Sequence, residues 1–375
     1  MKRIKNLFVN WVDGMKIAKE HFIDQEHAMR DHLRDALMAG VSDHHFGLLE
    51  PADLVFEDRE AKLNACRAIC RDGSRIELLP EHEQHVSCDL MPMLTNDLEG
   101  KSFYLLAMLQ ADEREGVGPF VGEPPRQAVV LPRVSLQMLP VEKLNSAALR
   151  SAMLPVARFT VLQGHATQNK DFVAPCCSID GFTEVERVKK DLANTLDLIM
   201  RNASTVLAKL YSKPRDIHDR FPNRCYEHWA IQSQLTLAGL HADMAIGMER
   251  PFELLRGVVQ LAHTTDGIWQ SMPERAELMK HVEGIGNWAS LIRAQHGSMN
   301  ELMQFRYLHW DLCSTLMLCA RFLEQTRQTY AQLGELDRFE PVSILRDIAP
   351  NTVEEVKPIE TAKPVTKGFV WEKKS

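Results

Sequence analysis

The texture of this chain changes most sharply at residue 183. Before that point apolar residues come in short runs cut by turn residues; after it they recur at every third or fourth position for roughly 150 residues. A chain written in two such periods folds as two different parts, here an α+β arrangement with a β-rich N-terminal half and a C-terminal α-helical bundle. The expected boundaries are 1–182 for the β-rich part, 183–336 for the bundle, and 337–375 for a tail in which Pro341, Pro350, Pro358 and Pro364 alternate with Lys and Glu. No apolar period survives in that tail, so it is expected to be disordered in isolation.

The helical part opens at Thr183 and Glu186, a pair spaced as a capping box, in which hydroxyl and carboxylate each satisfy an orphan backbone N–H. Val185, Val188, Leu192, Leu196, Ile199, Ala203, Val206 and Leu210 then form a narrow apolar seam, with local unwinding expected at the Leu192 to Leu196 step. A seam this long and narrow, with a second from Leu302 to Leu323, suits self-association through Val188, Leu192, Leu196, Ile199, Val206 and Leu210. The inward stripe of an intramolecular bundle has the same pattern. Further helices are expected over about 224–248, from Pro251 as a first-turn residue, and from about Pro273 with weakening at Gly284 and Gly286. A last helix is expected from Ser298 and Glu301, a second capping box, to about Leu336.

In the N-terminal half, residues 18–39 read as an amphipathic helix carrying Phe22, Met29, Leu33 and Leu37 near one face, with Gly40 to end it. Strand-like runs follow at 65–71, 74–79, 102–109, 127–139 and 156–162, and Asp72-Gly73 marks a hairpin turn between the first two. Residues 113–126, with three glycines and three prolines, are expected to be an exposed loop.

Composition removes several function classes. The net charge of −7 offers no electrostatic footprint for nucleic acid or an anionic membrane, and no apolar run approaches the length of a spanning helix, so direct membrane insertion is not expected. Leu7-Phe8-Val9 is too short for the apolar core of a signal peptide. The eight cysteines contain no CxxC pair, which suits reduced thiols in a cytoplasmic protein. His21, His27 and His32 diverge around their helix, His82 and His85 lack a third ligand, and neither HExxH nor GxSxG occurs. No metal, cofactor or catalytic residue is expected.

The most specific segment is Asn10-Trp11-Val12-Asp13-Gly14-Met15, followed by His21-Phe22. It resembles the opening of the TssK family, baseplate subunits of type VI secretion systems, through Trp11, Gly14, Met15, His21 and Phe22, although Lys19-Glu20 stands where that family has Pro-Gln. Phe46-Gly47-Leu48-Leu49, Cys66-Arg67-Ala68-Ile69, Val173-Ala174-Pro175-Cys176 and Arg250-Pro251-Phe252-Glu253 follow in the family's order.

The resemblance implies a β-sandwich shoulder, a helical neck, a homotrimer, wedge partners TssF and TssG, and placement at the cytoplasmic, inner face of the bacterial envelope. The family's C-terminal head, which contacts the membrane-anchoring complex, has no counterpart in the pattern after Leu336, implying a divergent subtype with another anchor. Trp11 and Phe22 are then either interface anchors or pins holding the first helix to the sheet. Phe369, Val370 and Trp371 are expected to be a docking motif in the tail. A phage-type tail or receptor-binding subunit is the structural alternative, and a hydrolase with an unmarked site the enzymatic one.

Overall fold

The computed structural model describes residues 5–38, 42–57, 59–80, 85–144 and 152–336. In chain order these form helix α1 (Lys19–Met38), strands β1 (Gly47–Leu48), β2 (Asp53–Phe56), β3 (Glu60–Ile69), β4 (Arg75–Leu78), β5 (Val86–Asp89), β6 (Ser102–Val121), β7 (Arg126–Pro140), β8 (Met153–Leu162) and β9 (His165–Gln168). Seven helices follow: α2 (Thr183–Tyr211), α3 (Arg215–His218), α4 (Asn223–Ile246), α5 (Pro251–Gln270), α6 (Arg275–Glu283), α7 (Trp288–Gln304) and α8 (Cys313–Gly334).

β3 is the hub of the first sheet. β1 and β4 pair with its C-terminal half and β2 and β5 with its N-terminal half, all antiparallel. Its buried residues are Ala61 and Leu63, then Cys66 and Ala68. The parity changes where the β2 register slips between Asp53 and Leu54, leaving Asn64 as the extra residue of a bulge that re-aims the strand. The hairpin at Asp72-Gly73 is present as a three-residue loop. Cys70 N donates to Ser74 O at 2.7 Å, and Gly73 takes the positive φ of 79° that a side chain disfavours.

The second sheet runs β7-β6-β8-β9. Phe103, Leu105 and Ala107 of β6 point into the main core, while Tyr104 and Leu106 on the opposite face join Leu144 in a satellite cluster against which Trp310 packs. Phe56 of β2 meets Phe159 of β8 with ring centroids 5.9 Å apart, so the two sheets share one core in a sandwich-like arrangement.

The expected loop at 113–126 is instead β-structure: β6 and β7 continue as a ribbon to the turn at residues 122–125. The breakers are accommodated by register shifts between Gln110 and Arg114 and between Val117 and Phe120. Gly118 and Gly122 both adopt φ of 80°. At Gly116 a Cβ would lie 2.1 Å from Gln127 Oε1, so only glycine lets the Gln127 side chain cross the ribbon and donate to Gly118 O at 3.1 Å.

In the bundle, α4 lies antiparallel to α2 through Tyr211 with Glu227, Ser204 with Gln234, and Asp197 with His241. α8 lies parallel to α2, held by Arg327 on Asp191, Asn202 on Tyr330 O, and Lys209 on Gly334 O. Trp229 of α4 packs against Trp269 of α5, Trp288 of α7 and Tyr330 of α8, so one buried indole contacts three helices.

Two helix starts differ from expectation. α2 begins at Thr183, but Glu186 Oε1 accepts from Gly181 N at 2.7 Å and no side chain caps the helix, so the capping box does not form. Leu192 and Leu196 lie in unbroken helix. Ser298, expected to start the last helix, is buried inside α7 with its hydroxyl donating to Gln295 O at 3.0 Å. The helix breaks instead at residues 305–312, and α8 begins at Cys313.

That break ties the bundle to the sheets. Buried Asp311 accepts from the Tyr104 hydroxyl at 2.8 Å and from Arg158 at 3.0 Å through Oδ2, and from Cys313 N at 3.2 Å through Oδ1. His309 Nε2 donates to Phe46 O at 2.6 Å, leaving Nδ1 to accept from the Tyr307 hydroxyl, also at 2.6 Å. Accepting at Nδ1 requires the neutral ring, and burial pushes His309 down from its ordinary value to about 4 although the bond to Phe46 O opposes the shift. Main-chain bonds complete the junction: Leu48 N to Pro175 O at 2.8 Å, Leu312 N to Val173 O at 3.1 Å, and Ile179 N to Glu249 O at 2.8 Å.

Asp311→Ala leaves the buried Tyr104 phenol and the partly buried Arg158 guanidinium without their acceptor and is expected to cost about 3 kcal/mol in equilibrium unfolding. His309 adds a pH signature. Its unfolded imidazole takes up a proton near pH 6.5 while the folded one resists to about 4, so stability is whole above 6.5 and drains as pH falls between those values. Denaturant titrations should show the penalty of His309→Gln shrinking by about 2 kcal/mol between pH 7.5 and pH 5; an unchanged penalty would show that burial of the neutral ring contributes nothing there.

Candidate assembly surfaces

The segment carrying Trp11, Gly14 and Met15 folds back along α1 through polar contacts. Asp31, buried on α1, accepts from Lys5 N, Asn6 N and Asn6 Nδ2, each at 3.1 Å, and pairs with Arg34 at 3.2 Å. Burial alone would raise its pKa, but these donors together hold it below the usual value. Gln25 accepts from Val9 N at 3.2 Å, Phe8 stacks on His32 at 4.9 Å, and Gly14 turns the chain with φ of 77°. Ala18 N donates to His21 Nδ1 at 3.2 Å, satisfying a donor just before α1.

These contacts bring Trp11, His21 and Phe22 together. Trp11 meets the His21 ring at 6.0 Å and Phe22 at 5.9 Å, and Met15, half-buried, donates its N–H to Val12 O. The aromatics do not pin α1 to a sheet: Trp11 remains 45% exposed and Phe22 60%, and neither belongs to a core cluster. Met29 and Leu33 continue the same apolar face toward solvent, and Leu7, Phe8, Val12 and Ile17 are exposed beside it.

The sequence did not point to the other half of this surface. Arg114 on β6 makes a bidentate pair with Glu26 of α1, at 2.9 and 3.0 Å, which sets the ribbon beside the helix. Phe120, Val121, Val129 and Val130 of the ribbon are all exposed. The strand-like run at 127–139 was legible; what hid the ribbon was the glycines and prolines of 113–126, which sit at bulges and at the turn rather than in a loop.

The seam on α2 is corrected. Val188, Leu192, Leu196, Ile199, Val206 and Leu210 are completely buried within the single chain, against α4 and α8, and present nothing to a second copy. The seam from Leu302 to Leu323 is divided by the break at 305–312, and Leu302, Leu312, Leu316 and Leu323 join the same core. Apolar periodicity reported an inward face in both cases. Phe369, Val370 and Trp371 lie outside the described residues.

Groups with catalytic potential are engaged structurally. Burial pushes the thiols of Cys66 and Cys176 up to about 12 and that of Cys177 up to about 11, so all three stay protonated and weakly nucleophilic. A cleft of about 420 Å³ at the junction is lined by His44, Arg71, Tyr307 and His309, but both ring nitrogens of His309 are already in hydrogen bonds. Among the described residues no three His, Cys, Asp or Glu side chains gather as metal ligands, and no helix is long and apolar enough to cross a membrane.

No protein-family model and no curated protein matches the chain. Solved structures do. A crystal structure of TssK superimposes with a TM-score of 0.50 at 13% identity, covering 85% of this chain and 68% of that one. A chain of the baseplate complex from the type VI secretion system gives 0.50 at 16% identity, covering 85% and 99%. A chain of the TssK-TssF-TssG baseplate subcomplex gives 0.47 at 17% identity, covering 85% and 100%. The chain has the TssK fold, β-sheets followed by a helical region, as the resemblance implied.

The two apolar faces predict opposite responses to charge. Leu196→Asp loses about 2 kcal/mol of side-chain burial and must desolvate a carboxylate as well, a sum comparable to the whole stability of a domain, so circular dichroism should show an unfolded or strongly destabilised chain. Phe22→Asp, on the open face, should melt within a degree or two of the unmodified protein.

Proposed function

We propose that this chain is a structural subunit of a type VI secretion baseplate, non-catalytic, acting at the cytoplasmic face of the bacterial envelope. The observation that carries this reading is the TssK fold over 85% of the chain, in a molecule whose N-terminal apolar surface is left exposed among the described residues. A monomeric protein has no use for so many exposed large apolar side chains on one element and the ribbon beside it; burial against a partner is what stabilises such a surface.

On this reading the chain works as a homotrimer. Trp11 and Phe22, with Met29 and Leu33 behind them, are anchors for the wedge proteins TssF and TssG, and the β6–β7 ribbon extends the contact. The polar fixing of the N-terminal segment through Asp31 and Gln25 then has a purpose: it presents the aromatics already ordered, which lowers the entropy lost on docking. Contact with the membrane-anchoring complex falls to the tail, where Phe369, Val370 and Trp371 are the docking residues.

Co-expression with TssF and TssG from the same gene neighbourhood, followed by affinity capture, tests the central claim. Phe22→Asp combined with Leu33→Asp should reduce co-purified TssF and TssG at least tenfold while the chain remains folded and of unchanged oligomeric mass. Undiminished capture by the folded double variant would remove this surface from the wedge contact.

A further inference from the structure

The cleft of about 420 Å³ at the junction has walls from both parts of the molecule. His44 and Arg71 line it from the β-rich part, and Arg306, Tyr307 and His309 from the break between α7 and α8. Its polar groups are mostly donors, and several of its residues are already committed. The Tyr307 hydroxyl and both His309 nitrogens are spent on one another and on Phe46 O. Asp43, the carboxylate in the lining, is taken by Arg71, whose Nε donates to its Oδ1 at 2.8 Å.

What remains unspent is all of one kind. Arg306 is exposed on the cleft and makes no ion pair or hydrogen bond among the described residues, and its guanidinium keeps its positive charge at any pH the fold survives. His44 Nδ1 is buried without a hydrogen-bond partner, although the ring is fixed by stacking on Phe252 at 4.4 Å and by an edge contact with Tyr307 at 5.3 Å. Folded proteins leave few buried polar atoms orphaned, and each one calls for a reason. From Arg306 to Trp310 no main-chain N–H takes a main-chain acceptor among the described residues, whereas those of Phe305, Asp311 and Leu312 on either side do. Main-chain donors held in irregular structure are the groups from which anion sites are built.

We propose that the junction cleft binds a small molecule through an oxyanion, a phosphate or carboxylate group, held by Arg306 and His44 Nδ1. Charge decides the class of ligand. In a chain of net charge −7 this lining carries two guanidiniums against one carboxylate, and that carboxylate is already paired. A cation or a neutral ligand would leave Arg306 unmatched, whereas an oxyanion meets its forked donors. Volume decides the size. The cleft falls within the range of about 300–1,000 Å³ typical of small-molecule sites, so the oxyanion is one group of an organic molecule rather than the whole ligand. Because Arg306 belongs to the break and His44 to the segment before β1, the bound group joins the two parts of the chain beside the bonds made by Asp311 and His309. Binding therefore favours the docked, folded state by mass action. The baseplate reading concerns a different surface and is not needed here.

The test titrates the full chain with inorganic phosphate and with acetate, at an ionic strength held constant with sodium chloride. Isothermal titration calorimetry should show one saturable site, and the melting temperature should rise as that site fills. Tighter binding of phosphate assigns a phosphate ester as the ligand class, and tighter binding of acetate a carboxylic acid. Arg306→Gln should weaken binding at least tenfold while leaving the melting temperature without anion unchanged, since the side chain is exposed. His44→Phe keeps a ring against Phe252 but removes Nδ1, and should weaken binding as well with no loss of stability. Arg256→Gln, at an exposed arginine of α5 outside the cleft, should bind like the unmodified chain. Absence of saturable binding of both probes, unchanged affinity in either cleft variant, or equal weakening by Arg256→Gln would each overturn the proposal.

Discussion

The buried carboxylate of Asp311 is what makes one molecule of two unlike parts. Sheets and helices each satisfy their own backbone, so nothing in either part obliges it to hold a fixed orientation toward the other. Asp311 supplies that obligation by taking a phenol from β6, a guanidinium from β8 and a backbone N–H from the start of α8 in one place. Nearby, His309 reaches the Phe46 carbonyl. The geometry is enforced because a misdocked bundle strands a buried charge, and that penalty is larger than the loss of a few apolar contacts. The helix break at 305–312 exists to bring these groups to the sheets, and a helix continuing through it would carry Asp311 and His309 away from their partners.

A rigid junction makes the peripheral surfaces useful. α1 and the segment before it belong to neither core cluster; they are held by Asp31, Gln25 and the Arg114–Glu26 pair. Polar fixing of this kind orders a segment without consuming its apolar side chains, which remain available. The bundle behaves differently. Its helices spend most of their apolar faces on one another around Trp229, and few large apolar side chains such as Leu235, Ile246 and Met317 are left exposed.

Much of this was legible locally. The change of period at residue 183 coincides with the first residue of α2, the Asp72-Gly73 hairpin and the Pro251 helix start are present, and Gly284 to Gly286 separate α6 from α7. Each rests on an interaction within a few residues, where backbone preference decides. Errors arose wherever a local signal had a non-local competitor. Ser298 and Glu301 have capping spacing, yet the Ser298 hydroxyl bonds back to Gln295 in a buried helix interior. The glycines and prolines of 113–126 break a lone strand but not one whose partner absorbs them in bulges.

The assembly surfaces divide in the same way. Trp11, His21 and Phe22 were identifiable from sequence, and the fold gathers them, but whether they pointed into the sheet or out of it was decided by Asp31 and Gln25, which lie on α1 beyond the motif. The α2 stripe and the α1 face with Phe22, Met29 and Leu33 are both apolar and both helical in period. Sequence determined that these faces are apolar, because side-chain polarity and a 3.6-residue turn are properties of the chain alone. Only tertiary structure decided that the first is buried by neighbouring helices and the second left open, because what covers a face depends on which elements, distant in sequence, pack beside it.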